Sequence, residues 1–407
     1  MSNSVALLIE TPRTGAGIDF VKACKKLDIK PIILISSPES QPKWVMDDYY
    51  KNGIEIKKVN TYNYEELLSF VKRMQENYKI KAILSLYEYS TYIAAKLAKE
   101  LNLKSPNPEI VNILRDKSKF RSLVSKLKVD NTDFKVLSNG DLADYHLNYP
   151  VVVKPVNLTG SAFVRLCKDS QSLQEALKEI KGIGQYTGQT VAKDVLIEEF
   201  IDGEEYSVEI MNGSIIAIIR KHTTSPGFIE VQHELPANIS DEKIKRINNY
   251  IYDFLDLIDY KFGLMHLEIK LDKNDIHFIE ANPRVAGGRI PELIRQVYGY
   301  DIILEYLKSL VEKGEPAPLN ITGKKAVIKF FVAKKNGILN QYPDFKLNNF
   351  PNVLEVKFYK NLGEHFTINF SNKDRILHVM AIGESIDAGI NTINDFYESI
   401  NLEECIK

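Results

Sequence analysis

The first third of the chain alternates short apolar runs with segments in which apolar residues recur at helical spacing. The apolar runs lie at residues 5–10, 31–36 and 81–86, and a shorter, edge-like run lies near residue 56. Amphipathic segments such as YEELLSFVKRMQENY lie between them. Strand–helix alternation of this kind predicts a parallel, doubly wound sheet.

The pattern changes after a proline-containing boundary at residues 105–109. A helix is expected over residues 109–127, followed by the β-rich runs FKVLS, YPVVVKP and FVRLCK. The later runs DVLIEEFI, YSVEIM and SIIAIIRK predict antiparallel hairpins. A last α+β section begins after Pro316 and Pro318. The expected fold class is therefore α/β in the first part and α+β in the rest.

Two alternating runs, HLEIKLD and IHFIEANPR, predict neighbouring strands joined by a turn near residue 274. Glu268 lies on the polar face of the first strand, while Glu280, Asn282 and Arg284 share a face of the second. If the turn is odd in length or bulged, Glu268 and Glu280 come opposite each other. Directly opposed like charges destabilise a sheet, so a positive group is expected between them.

Mg²⁺ is the natural candidate for that positive group. It prefers carboxylate and amide oxygens and is usually completed by the phosphates of a substrate. Arg284, on the same face, could then stabilise a phosphoryl group during transfer. The alternative interpretation, which these residues leave open, is an exposed hairpin with solvated charges.

Another stretch has features of a phosphate site. YPVVVKPVNLTGSAFVRL is an apolar strand that ends in Lys154 and continues into a hydroxyl-rich loop containing Ser161. Small residues let backbone N–H groups approach phosphate oxygens, although the spacing is not that of a P-loop. Further on, backbone groups near Glu198 and Ile201 could meet an adenine edge, and Glu205 could bind ribose hydroxyls. The alternative interpretation of the strand and loop around Lys154 is an ordinary surface hairpin.

Composition and charge exclude several classes of protein. The 407 residues are 44% apolar and 26% charged, with a formal net charge of −1 and no long basic block, which argues against nucleic-acid binding. The chain contains no run of roughly 18 apolar residues, so the sequence predicts no membrane span. The start of the chain resembles a strand and not a signal peptide. Three widely spaced cysteines, Cys24, Cys167 and Cys405, fit a reducing cytoplasm.

The order of these features along the chain says more than any one of them. Lys117 precedes Lys154 and its glycine loop, which is followed by EEFI, Glu205, Glu268 and E-x-N-x-R. This order resembles the ATP-grasp superfamily over roughly residues 1–312. The phrases RDKSKFRSLV, HLEIKL and IEANPRVAGGRIPELI are similar to carboxylate–amine ligases of the L-amino acid ligase (dipeptide synthase) type.

The resemblance implies a division into three parts. These would be a Rossmann-like domain at residues 1–112, an ATP-grasp core at 113–312 with a mobile lid at about 148–200, and a C-terminal α+β domain at 313–407. In such proteins a nucleotide lies between two α+β lobes. The C-terminal domain would close the acceptor side or pair subunits, which suggests a homodimer.

The resemblance also implies roles for single residues, with ATP and two Mg²⁺ ions as cofactors and Mn²⁺ as an alternative ion. Arg284 and Lys154 would be catalytic. The implied binding residues are Lys117, Lys154, Ser161, Glu198, Ile201 and Glu205 for the nucleotide, Glu268, Glu280 and Asn282 for the metal, and His233, Glu230, Gly288 and Arg289 for the substrates. A small-molecule carboxylate would be phosphorylated by ATP to an acyl phosphate, which an amine would attack to form an amide or dipeptide.

Three other functions remain open. The first is a nicotinamide-dependent oxidoreductase. TGAGIDF supplies Gly15 and Gly17 of a dinucleotide fingerprint, but its third glycine position is Phe20 and no acidic residue ends the second strand. Another ATP-grasp activity, such as carboxylation or the joining of a hydroxy or polycarboxylic acid to an amine, shares the same core. A catalytically silent nucleotide-binding scaffold is the third, although a scaffold would not need the full set of charged residues.

Overall fold

The computed structural model describes residues 3–12, 16–138, 148–186, 189–225, 227–273 and 275–407. Gly15 of the fingerprint-like turn and Asn274 of the expected hairpin turn lie outside the described residues. Both helices and strands are present, and among the described residues no helix combines the length and apolar character needed to cross a membrane.

The described strands range from two to ten residues. In chain order they are β1 (Ser4–Ile9), β2 (Lys30–Ile35), β3 (Glu55–Lys58), β4 (Lys79–Leu84), β5 (Phe134–Leu137), β6 (Val151–Pro155), β7 (Arg165–Cys167), β8 (Gln185–Tyr186), β9 (Gln189–Thr190), β10 (Val195–Glu199), β11 (Glu204–Met211), β12 (Ser214–Thr223), β13 (Glu230–Leu235), β14 (Leu264–Leu271), β15 (Ile276–Asn282), β16 (Lys325–Val332), β17 (Gly337–Ile338), β18 (Val353–Phe358), β19 (His365–Phe366) and β20 (Arg375–Gly383).

The described α-helices mostly begin at a polar residue whose side chain accepts a hydrogen bond from a backbone N–H of the first turn, as for Asn63, Asp169 and Ser240. They are α1 (Ala16–Lys26), α2 (Lys43–Lys51), α3 (Tyr64–Met74), α4 (Thr91–Glu100), α5 (Pro108–Arg115), α6 (Lys117–Lys126), α7 (Ser170–Lys181), α8 (Asp241–Leu257), α9 (Ile290–Tyr298), α10 (Ile302–Val311) and α11 (Ile386–Ser399).

The continuous helix expected over residues 109–127 is wrong. Asp116 has extended backbone and ends α5, and its carboxylate then accepts hydrogen bonds from the N–H groups of Ser118 and Lys119 at the start of α6. An aspartate that caps a new helix competes with continuation of the old one, because it satisfies N–H groups that would otherwise lack partners. The break places Lys117 at the first position of α6.

The first four strands form a parallel sheet in the order β3-β2-β1-β4, with helices in the connections. This confirms the doubly wound arrangement expected from the alternating pattern. The chain reverses its direction of winding between β1 and β4, which is where open α/β sheets characteristically leave a crevice for ligands. The carboxyl ends of these two strands, with residues 86–89 after β4, line a cavity described below.

The remaining strands form two larger antiparallel sheets and two short ribbons, β8-β9 and β17-β19. One sheet has the order β5-β10-β6-β7 and packs under α7. The other has eight strands in the order β15-β14-β11-β12-β13-β16-β20-β18. Because β16 pairs with β13, the C-terminal strands extend this sheet. The division of the chain at residues 112 and 312 stays a prediction.

Candidate active site

Glu268 and Glu280 face each other across two neighbouring strands. β14 pairs with β15 in antiparallel register, and Glu268 lies opposite Glu280. The next residue, Ile269, lies opposite Phe278, so Ile279 is the extra residue of a β-bulge. The bulge is the irregularity that the sequence argument required for this juxtaposition. Asn282, on the same face of β15, donates a hydrogen bond from Nδ2 to Glu280 at 2.8 Å.

A buried lysine that the sequence argument missed is shared by three acidic side chains, one of which is Glu268. Lys221 of β12 is directly opposite Glu205 of β11, and its side chain is 1% exposed. Its Nζ lies 2.5 Å from Glu268, 2.8 Å from Glu230 and 3.2 Å from Glu205. Burial alone would lower the pKa of Lys221, but the three carboxylates raise it well above its ordinary value.

A signal for Lys221 exists in the sequence. Ala217, Ile219 and Lys221 alternate along one strand, and the first two are buried. A lysine that continues an alternating buried face must find an anionic partner. The run SIIAIIRK therefore indicates a cation at the end of a buried strand, but the structure was required to show that Lys221 and not Arg220 faces inward and where its partners lie.

Lys117 and Lys154 enter the same region from different elements, as expected. Lys117 Nζ lies 3.0 Å from Glu280 Oε2 and donates a hydrogen bond to the Leu158 carbonyl at 2.7 Å. Lys154 Nζ lies 2.5 Å from Glu198 and 3.3 Å from the Ile279 carbonyl. Burial opposes the ionisation of Glu280, but the charge of Lys117 holds the pKa of Glu280 well below its usual range. Glu280 is therefore a carboxylate at neutral pH.

The side chain of Glu198 is occupied by two buried cations. Besides Lys154, it accepts a hydrogen bond from Arg121 of α6, whose Nη1 also binds Asp130 at 2.8 Å. Arg121 Nη2 donates to the backbone carbonyl of Phe278 on β15. This network fixes α6 against both sheets, and it leaves the backbone near Ile201 as the part of the segment that can meet a ligand. Sequence reasoning did not single out Arg121.

These side chains line a cavity of about 110 Å³, here called the glutamate cavity. Ser161 reaches it from the loop after β6 and donates a hydrogen bond to the Phe228 carbonyl at 2.9 Å. Lys270 lies over Phe200 and Phe228 and donates to the Ile201 carbonyl at 3.1 Å. The predicted residues that line the glutamate cavity are Lys117, Lys154, Ser161, Glu198, Ile201, Glu205, Glu230, Glu268 and Glu280.

A larger cavity of about 520 Å³, here called the arginine cavity, adjoins it. Gly160, Glu230 and Asn372 line both cavities. The predicted residues that line the arginine cavity are Glu230, His233, Arg284, Gly288 and Arg289. Nucleotide and substrate residues expected from the sequence thus fall into two adjoining spaces.

Arg284 enters the arginine cavity with a partner from the parallel sheet. Its Nη2 lies 2.5 Å from Glu88, which follows β4, and its Nε lies 3.1 Å from the same oxygen. Burial disfavours the charge, but Glu88 raises the pKa of Arg284 above its ordinary value. Glu88 was not predicted, because its sequence neighbourhood shows no motif and its partner lies 196 residues away.

Around Gly288 the backbone and the neighbouring side chains are tightly arranged. Gly288 has φ +57°, and a Cβ there would lie 2.6 Å from His233 Cε1. Among the described residues neither ring nitrogen of the buried His233 has a hydrogen-bond partner; its Nε2 lies 3.4 Å from Glu230 without hydrogen-bond alignment. Arg289 does not face open space, since its Nη2 lies 2.6 Å from Glu355 of β18.

Comparison with known proteins identifies the domain family and the fold. Residues 147–292 match the ATP-grasp domain family. The uncharacterized protein y4rH of Sinorhizobium fredii is 27% identical over 97% of this chain and 82% of its own length. An alanine–anticapsin ligase of Bacillus amyloliquefaciens is 25% identical, but the match covers only 58% of this chain and 55% of that ligase.

Among solved structures, the L-amino acid ligase of Bacillus licheniformis superimposes with a TM-score of 0.78 at 19% sequence identity. The superposition covers 100% of this chain and 98% of that one. The fold class and the resemblance expected from the sequence are confirmed. The chain carries an ATP-grasp domain, within a fold that it shares along its whole length with an L-amino acid ligase.

Proposed function

We propose that this protein is an ATP-dependent carboxylate–amine ligase that forms an amide or dipeptide and releases ADP and phosphate. One observation supports the proposal most strongly. Two carboxylates, Glu268 and Glu280, oppose each other in a cavity that also holds Lys117 and Lys154. That cavity adjoins a second, larger one into which Arg284 projects. A nucleotide and two small substrates can thus meet at one boundary.

The glutamate cavity provides the groups that a nucleoside triphosphate requires. Lys117 and Lys154 bind the phosphates, and the loop with Ser161 closes over them. The backbone near Glu198 and Ile201 meets the adenine, because the Glu198 side chain is already held by Lys154 and Arg121. Glu205 binds the ribose hydroxyls. This requires Lys221 to remain with Glu230 and Glu268 while Glu205 accepts the sugar.

Two carboxylates that line the same cavity, Glu268 and Glu280, fit Mg²⁺, with Mn²⁺ as an alternative, and Asn282, which lines neither cavity, contacts Glu280 from beside them. Glu268, Glu280 and Asn282 present carboxylate and amide oxygens on one sheet face, which is the ligand type that these hard cations prefer. Two ions are proposed, and Glu268, Glu280 and Asn282 would hold them. When bound, Mg²⁺ supplies positive charge that offsets the charge on the phosphate oxygens during transfer.

The reaction divides into two steps because a free carboxylate is a poor electrophile. A carboxylate oxygen attacks the γ-phosphorus of ATP, the bond to the β-phosphate oxygen breaks, and ADP leaves. The amine then attacks the acyl carbon, phosphate leaves, and the amine loses a proton. Arg284, which pairs with Glu88 and whose charge also interacts with Glu280 and Glu268, stabilises the charge on the transferred phosphoryl group. The enclosed site limits hydrolysis of the acyl phosphate.

The arginine cavity receives the two substrates. His233 offers ring nitrogens that have no hydrogen-bond partner among the described residues, and Glu230 lies beside it. Gly288 keeps the space next to His233 open, since any Cβ there would fill it. Arg289 stands at the rim, paired with Glu355. A cytoplasmic location and a homodimer are further parts of the proposal.

A phosphate-release screen with mass detection of products tests the proposal. The protein is incubated with ATP, Mg²⁺ and pairs of carboxylic acids and amino acids, and each component is then omitted in turn. The expected result is phosphate release that needs both substrates, with an amide of the combined mass minus water. Release that needs no amine would contradict the ligase assignment, as would the lack of ATP hydrolysis with every pair.

A further inference from the structure

The arginine cavity contains more basic than acidic side chains. Its described lining includes two acidic side chains, Glu88 and Glu230, and six basic ones, which are Arg284, Arg289, Lys357, Lys360, Lys373 and Arg375. The three arginines have carboxylate partners: Arg284 binds Glu88, Arg289 binds Glu355, and Arg375 Nη2 lies 2.8 Å from Glu230. The lysines are different.

None of the three lysines forms an ion pair with a carboxylate in the part of the chain that the structure describes. Each contacts an aromatic ring instead. The Nζ of Lys357 lies 3.7 Å from the ring centre of Trp44, that of Lys360 lies 5.6 Å from Phe366, and that of Lys373 lies 4.0 Å from Tyr186. Cation–aromatic contacts offset only part of the cost of withdrawing an ammonium group from water.

The three lysines do not lie at the same end of the cavity. Lys373 is exposed and follows Asn372, which lines both cavities, so it lies near the phosphate end. Lys357 and Lys360 do not line the glutamate cavity, and both are half-buried. The charges that act on Lys357 come from Arg289 before α9, Glu355 of β18 and Asp19 of α1. Lys357 and Lys360 therefore mark an end of the cavity remote from the nucleotide.

Two half-buried ammonium groups without carboxylate partners, on the wall of a ligand-sized cavity, favour an anionic group on the ligand. The carboxylate that is phosphorylated must reach the glutamate cavity and Arg284, so it cannot also occupy the remote end. An α-carboxylate of an amino-acid acceptor accounts for one charge at most, and Lys373 is available for it. Lys357 and Lys360 remain for a different carboxylate.

We propose that Lys357 and Lys360 bind a second carboxylate of the acid substrate, so that the preferred acid is dicarboxylic. The inference rests on the proposed function and specifies its acid substrate. Only the carboxylate at the glutamate cavity is phosphorylated and converted to an amide. The second carboxylate keeps its charge throughout, so the product is an amide with a free carboxylate at the acid end.

Steady-state kinetics test the inference with matched acids. Succinate and glutarate are compared with butyrate and pentanoate, at a fixed amino-acid acceptor and saturating ATP. The expected result is a kcat/KM for the dicarboxylates at least tenfold above that of the matched monocarboxylates. In Lys357→Met and Lys360→Met we expect the KM of the dicarboxylate to rise roughly tenfold to a hundredfold, with the KM of ATP unchanged, because a charged hydrogen bond is lost. The exposed Lys324→Met, which lines neither cavity, removes the same charge and serves as the control.

Binding can also be followed without turnover, because Trp44 is the only tryptophan of the chain and Lys357 lies over its ring. Titration of the full-length protein with succinate or glutarate is expected to change the Trp44 fluorescence in a saturable way. The change should be absent with butyrate and in Lys357→Met. Methionine keeps the apolar stem over the indole, so a loss of the signal reports the missing charge.

The possible failures are distinguishable. No phosphate release with any acid–amine pair overturns the proposed function itself. Release with monocarboxylic acids at the same efficiency as with dicarboxylic acids overturns only the dicarboxylate inference. If Lys357→Met and Lys360→Met raise the KM of the amino acid and not that of the acid, the two lysines bind the acceptor's carboxylate, and the inference is overturned in favour of that assignment.

Discussion

The glutamate and arginine cavities adjoin, yet their charged side chains are balanced in different ways. In the glutamate cavity Lys117 pairs with Glu280, Lys154 with Glu198, and Lys221 with three glutamates, and of the described lining cations Lys270 alone contacts aromatic rings without an ion pair. In the arginine cavity Lys357 and Lys360 have no carboxylate partner among the described residues, although they lie on the wall. The first space is neutralised by the protein, whereas the second retains positive charge.

The ligands proposed for the two spaces account for this difference. A site that always binds the same nucleotide and ion can hold its ligands in a fixed network of ion pairs, since the pairs keep each group oriented while the site is empty. A site for a variable substrate gains specificity when groups of the protein remain unpaired until the right ligand arrives. The comparison predicts that single substitutions in the glutamate cavity change stability or activity strongly. Substitutions in the arginine cavity should have smaller effects that depend on the substrate.

The largest effect is expected from Lys221→Met. The change removes the cation shared by Glu205, Glu230 and Glu268 and leaves buried carboxylates unpaired, so the free energy of unfolding should fall by about 3 to 5 kcal/mol. Urea unfolding measures the loss, and millimolar Mg²⁺ should recover part of it. Lys243→Met, which removes a half-exposed lysine paired with Glu204, is the control. Equal losses of unfolding free energy in the two variants would show that the buried ion pairs of Lys221 stabilise the protein no more than an exposed ion pair does.

Glu280→Gln is expected to lower substrate-dependent phosphate release by roughly a hundredfold to a thousandfold. It removes the charge of the carboxylate opposite Glu268 and deprives buried Lys117 of its partner. Glu204→Gln affects a glutamate that binds Arg220 and Lys243 and lines neither cavity, and its activity should stay within about twofold of wild type. Activity of Glu280→Gln within tenfold of wild type would remove the glutamate pair from the mechanism.

The sequence predicted the glutamate cavity better than the arginine cavity for a structural reason. Glu268, Glu280 and Asn282 lie on two adjacent strands, so alternation and one bulge decide which face they share. Lys154 lies near the end of an apolar strand, which leaves a local pattern, whereas the helix cap before Lys117 was not recognised. Such short-range signals survive in a single sequence because they depend on period and turn length.

The arginine cavity is assembled from segments far apart in the chain, and local patterns do not indicate their meeting. Glu88 follows β4, Arg284 follows β15, and Lys357 lies on β18. The C-terminal strands reach this site because β16 pairs with β13, a contact that no periodicity indicated. The single helix expected across Asp116 was wrong for a different, local reason, since the capping potential of one aspartate outweighed an otherwise continuous helical spacing.

A smaller effect is expected from Glu355→Gln, which disrupts an ion pair of the arginine cavity. Burial opposes its charge, but His378 and Arg289 lower the pKa of Glu355 to about 2. A depressed carboxylate pKa stabilises the fold above the ordinary pKa of 4.5, and that contribution is lost as pH falls toward 2. At pH 7 the free energy of unfolding of Glu355→Gln should therefore be about 2 to 3 kcal/mol below that of the wild type, and this difference should shrink below pH 4.5. A loss that stays constant down to pH 3 would contradict the electrostatic cause.

The smallest effect is expected from a pair of neighbouring glycines in the arginine cavity. Gly288→Ala should cost about 1 to 2 kcal/mol of stability, because an alanine at φ +57° is strained and its Cβ would lie 2.6 Å from His233. Gly287 has open space around its Cβ position and no left-handed φ, so Gly287→Ala should be close to neutral. Thermal unfolding and kcat/KM for the best substrate pair measure both variants.

The two glycines also show how Gly288 should be tested as a determinant of acceptor size. Replacing Gly288 by Trp would alter the backbone and His233 together with the volume of the cavity, so a changed acceptor range would have two causes. A bulky residue at Gly287 changes volume without that strain. One expected outcome is that Gly287→Trp narrows the acceptor range while Gly288→Ala lowers turnover for all acceptors alike. In that case the side chain at residue 287 controls the space available to the acceptor, and the role of Gly288 is to position His233. Equal effects of Gly287→Ala and Gly288→Ala would instead remove the conformational role of Gly288.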